Sequence, residues 1–200
     1  MVFQNALFDP RHIANAAADF TMKFNCANLS IEVAAPVRLA AKTWSRPPSG
    51  MSKLNVDAGC FNDGYLGCGM VVRDNLGNVI FAATKLEKRQ ASPTHTEALA
   101  LRWCLQWILS SNQVGHFMVE TNSEVVVKCL QGFSCLEEIE NIILDCPDIM
   151  SNLSNCSVFF IRRCKNVAAH CLVGVAKQVG SRWDMSWSPR LQLFVWICFL

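Results

Sequence analysis

Two hundred residues, 52% hydrophobic and only 17% charged, suit one domain with extensions and exclude a chain disordered throughout. A formal net charge of +2 is too small to identify a polyanionic partner and excludes none. Eleven cysteines without a Cys-x-x-Cys pair, and a start with neither a basic nor a long apolar region, lead us to expect no secretory signal and free thiols inside the cell, in nucleus or cytoplasm.

Residues 1–50 read as an N-terminal extension and linker. A weak helical pattern passes through Ile13, Ala16, Ala17 and Phe20, and the breaker cluster Ser45-Arg46-Pro47-Pro48-Ser49-Gly50 closes the segment. Residues 51–181 read as one domain. Lys53 to Ala58 is a strand, with Leu54, Val56 and Ala58 on one face and Asn55 and Asp57 on the other. Leu66 to Val72 and Val79 to Thr84 are two further strands, with Asp74-Asn75-Leu76-Gly77-Asn78 as the hairpin turn between them. Ser92-Pro93 opens a helix whose apolar stripe is Leu101, Cys104, Leu105 and Ile108. Phe117 to Glu120 is a strand, Ser123 to Leu130 a short helix, and Leu136 to Leu153 a helix broken at Pro147. Val158 to Ile161 is the fifth strand, and Val167 to Val179 a helix ended by Gly180. The order βββαβααβα predicts an α/β fold, a five-stranded mixed sheet with helices on both faces. The fourth strand should lie beside the first, so that Asp57 and Asn122 sit on neighbouring strands.

Residues 182–200 form an apolar C-terminal tail. Leu191 to Leu200 is too short to span a bilayer, which needs about 20 residues, so no membrane association follows from it. We expect it to be peripheral to the domain.

Charge is unevenly placed. Residues 131–150 carry Glu137, Glu138, Glu140, Asp145 and Asp148 and no Lys or Arg, whereas residues 151–200 carry six basic residues against Asp184 alone.

Four side chains stand out. Asp57 ends a strand, where a lone acid is ordinarily a solvated edge residue. Glu97 falls on the apolar stripe of its helix; Thr94-His95-Thr96-Glu97 also fits a capping box, but Ser92-Pro93 already supplies a start. A buried-face acid wants a cation or a metal. Asn122 stands where the fourth strand hands over to a helix, a position that also suits an N-cap. His170 taken alone reads as a half-buried helix histidine. Four histidines without ligand spacing argue against zinc.

In order, these fragments resemble a family. They are Trp44-x-x-Pro47-Pro48, Lys53-Leu54-Asn55-Val56-Asp57, Gly67-Cys68-Gly69-Met70-Val71-Val72-Arg73-Asp74 and Gly77-Asn78-Val79. Glu97-Ala98-Leu99-Ala100-Leu101, Val119-Glu120-Thr121-Asn122-Ser123 and Arg163-x-x-Asn166-x-x-Ala169-His170-x-Leu172 follow. From Trp44 to about Gly180 the chain resembles the plant ribonuclease H type 1 module, related to retrotransposon ribonucleases H.

The resemblance implies a ribonuclease H-like fold and two-metal hydrolysis of the RNA strand of RNA–DNA hybrids, with Mg²⁺ or Mn²⁺ on clustered carboxylates. It implies Asp57, Glu97 and Asn122 as metal positions and His170 as the fourth member of the site. Asn122 stands where the family has Asp, which removes one negative charge and should weaken metal binding and activity. Glu120, on the same strand face two residues back, is a candidate substitute. The partner implied is RNA–DNA hybrid or RNA, bound weakly because residues 131–150 are acidic where a basic protrusion would help. The competing reading is a catalytically inactive module that binds nucleic acid or a protein. A retrotransposon-derived fragment without selected activity is a third.

Overall fold

The computed structural model describes residues 44–111, 115–134, 136–153 and 155–184, with no side-chain account of 182–184. All of them fall in one compact unit, residues 41–187. The helical pattern at Ile13–Phe20 and the apolar Leu191–Leu200 stretch lie outside the described residues.

Five predicted strands form: β1 (Met51–Cys60), β2 (Tyr65–Arg73), β3 (Val79–Lys88), β4 (His116–Thr121) and β5 (Cys156–Phe160). β1 to β3 are an antiparallel meander, while β4 runs parallel to β1 and β5 parallel to β4. A short sixth strand, β6 (Arg182–Asp184), pairs antiparallel with β3, giving the order β5-β4-β1-β2-β3-β6. β3 runs four residues past the predicted Thr84 because Lys85 and Glu87 continue the ladder against Cys68 and Leu66. Their charges hide the strand from a hydrophobic pattern.

Helix α1 (Pro93–Ser110) starts as expected: Ser92 Oγ accepts from the His95 backbone N–H at 3.1 Å. The Ser92 cap puts Glu97 in the second turn, not in a capping box. α1 packs on β1, burying Ala98, Leu101, Cys104, Leu105 and Ile108 against Leu54, Val56 and Val119. Each fully buried Leu or Ile contributes about 1.5–3 kcal/mol. Phe81 stacks on Trp107 with centroids 4.3 Å apart, tying β3 to the far end of α1.

Helix α2 (Glu124–Leu130) and a single turn at Glu137–Ile139 lead into α3 (Glu140–Ser151). The predicted break at Pro147 does not occur, since Pro147 lies inside α3. The ring removes only the bond to the Ile143 carbonyl. It is exposed, while Ile142 and Cys146 on the opposite side stay buried in the core around α1. The irregular point comes earlier, where the turn at 137–139 meets α3.

Helix α4 (Val167–Val179) lies on the other face of β1–β3 and ends at Gly180, φ 73°. It comes so close that a Cβ on Gly69 would collide with the Ala169 carbonyl and Leu172 Cβ. Gly69 is therefore a site of close approach, the use of glycine that a strand interior tolerates. The sheet has helices on both faces, and the face bearing Asn55 and Asp57 is as buried as the opposite one.

Candidate active site

β1 is flanked by β2 and β4, so its centre is the centre of the sheet. Asp57 pairs with Gly69 on β2, and Val56 pairs with Thr121 at the end of β4. Asn122, the next residue, is thereby brought level with Asp57. α4 crosses over Gly69 and presents His170, one residue after the Ala169 that touches it. The four residues singled out from the sequence meet at one end of β1.

Asp57 is 2% exposed and both its oxygens accept hydrogen bonds. Oδ1 takes the Ala58 backbone N–H at 2.9 Å, and Oδ2 lies 2.7 Å from His170 Nδ1. Arg163 Nη2 lies 2.8 Å from His170 Nε2. The same Nη2 is 3.4 Å from Nδ1, so the guanidinium lies against the ring, while the Asp57 carboxylate accepts and Nδ1 therefore carries the hydrogen between them. The imidazole is held between the Arg163 guanidinium and the Asp57 carboxylate.

Glu97 stands beside Asp57. Burial first, and the Asp57 charge second, push its carboxyl up to about 8, against a smaller opposing pull from Arg163. Glu97 Oε2 is buried with no hydrogen-bond partner among the described residues. Two carboxylates in a low-dielectric pocket cannot both stay charged without a cation; a proton or a metal ion must serve.

Asn122 is held from α4. Asn166 Nδ2 donates to Asn122 Oδ1 at 2.7 Å and to the Val56 carbonyl at 2.8 Å. The two hydrogens of one amide thus join the middle of β1 and the end of β4 to the start of α4. Asn166 is 1% exposed. Sequence reading took it only as part of a motif. An Asn just before a helix suggests a cap, yet Asn166 makes no side-chain cap and bonds across the sheet.

Glu120 does not reach the site. It pairs with Asn55, one step down the strand, and its two oxygens are committed: Oε1 to Lys53 Nζ at 2.8 Å and Oε2 to Asn55 Nδ2 at 2.8 Å. Arg73 Nη1 donates to Asn55 Oδ1 at 3.2 Å, and burial lowers the Arg73 guanidinium to about 10 despite the Glu120 charge. Trp44 covers this network, its ring 5.3 Å from Lys53 Nζ and 4.6 Å from the Arg73 guanidinium carbon. Lys53 Nζ also donates to the Ser45 carbonyl at 2.8 Å. The lead-in at Trp44-Ser45 is therefore part of the packed domain. Sequence reading missed this network because Lys and Arg inside a strand look like solvated residues.

The donor set fits one divalent ion better than two. Among the described residues no three His, Cys, Asp or Glu side chains converge tightly enough to hold a metal alone. Asp57 and Glu97 suit a hard cation that keeps most of its shell as water and phosphate oxygen, as Mg²⁺ does. The orphaned Glu97 oxygen is what such an ion would satisfy. Asn122 has its amide oxygen engaged, and His170 offers nitrogen.

The sequence model of the reverse transcriptase-like family matches residues 55–176. No curated protein matches the chain. Solved structures do. Ribonuclease H1 from the halophilic archaeon Halobacterium salinarum NRC-1 is 17% identical, with 64% of this chain and 98% of that one covered at a TM-score of 0.59. The N-terminal ribonuclease H domain of Rv2228c from Mycobacterium tuberculosis is 19% identical, covering 65% and 95% at 0.57. LC11-RNase H1, solved in complex with an RNA/DNA hybrid, is 23% identical, covering 62% and 94% at 0.56. At these identities the likeness shows the fold, which is ribonuclease H-like.

Proposed function

Since the chain belongs to the reverse transcriptase-like family, we propose that its domain binds RNA–DNA hybrids and hydrolyses their RNA strand slowly, with one divalent ion held by Asp57 and Glu97. The observation that carries this reading is the Asp57–Glu97 pair, a buried and a half-buried carboxylate with one buried Glu97 oxygen left without a hydrogen-bond partner. Isolated buried carboxylates are costly, and an ion between them removes the cost. Mg²⁺ or Mn²⁺ bound there would polarise a phosphoryl oxygen and lower the pKa of water. Asp57 is kept in place by the Ala58 N–H and His170, and Glu97 by the second turn of α1. Asn122 positions the end of β4 and supplies no charge.

A labelled RNA–DNA hybrid should be cut in Mn²⁺ by the wild-type chain and left intact by Asp57→Asn. No cleavage in either would reject hydrolysis and favour the second reading, a binding module without activity. The observation behind that alternative is the neutral Asn122 with its oxygen already engaged. In either case hybrid affinity is low, because residues 136–151 put Glu137, Glu138, Glu140, Asp145 and Asp148 on the surface with no basic residue among them.

A further inference from the structure

Resting on the one-ion reading above, we infer that Arg163 and His170 act together in the place of a second divalent ion: His170 occupies the Asp57 oxygen that a second ion would need, and Arg163 offers its positive charge to a phosphodiester of the nucleic acid. Asp57 Oδ2 is 2.7 Å from His170 Nδ1, and the other oxygen already takes the Ala58 N–H. Each Asp57 oxygen keeps one lone pair, enough for an ion shared with Glu97, and the His170 bond takes a position that a second cation would use. His170 in turn is 2.8 Å from Arg163 Nη2, which fixes the guanidinium at the site. Arg163 is exposed, and a guanidinium carries five N–H donors in a rigid fork, so most of its donors remain for a ligand. The ligand chemistry that fits a planar cation beside a single-ion carboxylate site is a phosphodiester. His170 and Arg163 are positioning and binding residues here; neither moves a proton.

The test is a Mn²⁺ titration of the full chain at neutral pH, read by calorimetry and by electron paramagnetic resonance. Wild type should bind one ion. His170→Asp should bind two. His170→Ala, which adds no charge and guards against a folding failure, should bind one ion no more weakly than wild type, because the imidazole competes with cations instead of supporting them. Arg163→Gln should still bind one ion. In Ca²⁺, with a short RNA–DNA hybrid as probe, its log affinity against log salt should lose about one phosphate contact from the slope. Two ions on wild type, weaker binding in His170→Ala, or an unchanged salt slope in Arg163→Gln would each overturn the inference while leaving a metal-dependent nuclease standing. Failure of wild type to bind Mn²⁺ at all would overturn both.

Discussion

Asn166 reaches across the sheet to Asn122, its amide N–H 2.7 Å from the Asn122 oxygen. The same amide group holds the carbonyl of Val56, the residue before Asp57. The position of Asn122 is thus set by a donor that would serve a carboxylate equally well. Asn122→Asp should keep the bond from Asn166, leave a second oxygen free for a cation, and add the charge the site lacks. We expect Mg²⁺-dependent hybrid cleavage to rise at least about tenfold, and Asp57→Asn in that background to abolish it. Wild-type cleavage in Mg²⁺ as fast as that of Asn122→Asp would show that Asn122 is not at the ligand position.

Gly69 sets how closely α4 approaches the sheet, and so how closely His170 approaches Asp57. Gly69→Ala puts a methyl into the Ala169 carbonyl and Leu172. The helix must lift, at a cost of about 1–3 kcal/mol as for other overpacked cores. The His170 imidazole nitrogen resonances should lose the signature of an Nδ1–H bonded to Asp57. Unchanged stability in chemical denaturation, with unchanged resonances, would contradict the close approach.

Glu97 makes stability pH-dependent without metal. Its folded value, about 8, lies above the ordinary 4.5. The folded state therefore favours the protonated carboxyl, and that contribution is complete below about pH 4.5 and is lost as pH rises toward 8. Glu97→Gln should flatten the fall in melting temperature between these limits, and Mn²⁺ should restore stability to wild type most at the alkaline end. A pH profile identical in Glu97→Gln would show that another group is responsible.

The buried network under Trp44 places the start of the domain before residue 51. Removing Lys53's amine takes the ion-pair partner 2.8 Å from the buried Glu120 and leaves it Asn55 and the charge of Arg73. Lys53→Met should cost about 3–5 kcal/mol. A chain starting at Met51 loses Trp44 and Ser45 and should melt well below one starting at Ala41. Equal melting temperatures would mean that the lead-in merely rests on the surface.

The sequence by itself determined the element order, the sites of Ser92 and Gly180 at helix ends, and the meeting of Asp57 with Asn122. These follow from local rules: alternation along strands, an N-cap before Pro93, and the constraint that a crossover brings a fourth strand beside the first. It also placed Glu97 on a buried helix face, because a period of 3.6 carries through from Leu101 to Ile108. Tertiary structure alone decided what these groups do to one another. Glu120 shares a strand face with Asn122, and only the packing of β4 beside β1 shows that Lys53 and Asn55 have claimed it. Arg163 and His170 are seven residues apart, and no pattern says that one will hold the other against Asp57. The helix through Pro147 likewise survives because its opposite face is buried on α1. Local propensity is written in neighbours along the chain. Hydrogen-bond partners, desolvation and charge coupling depend on neighbours in space, which appear only once α4 has closed on Gly69.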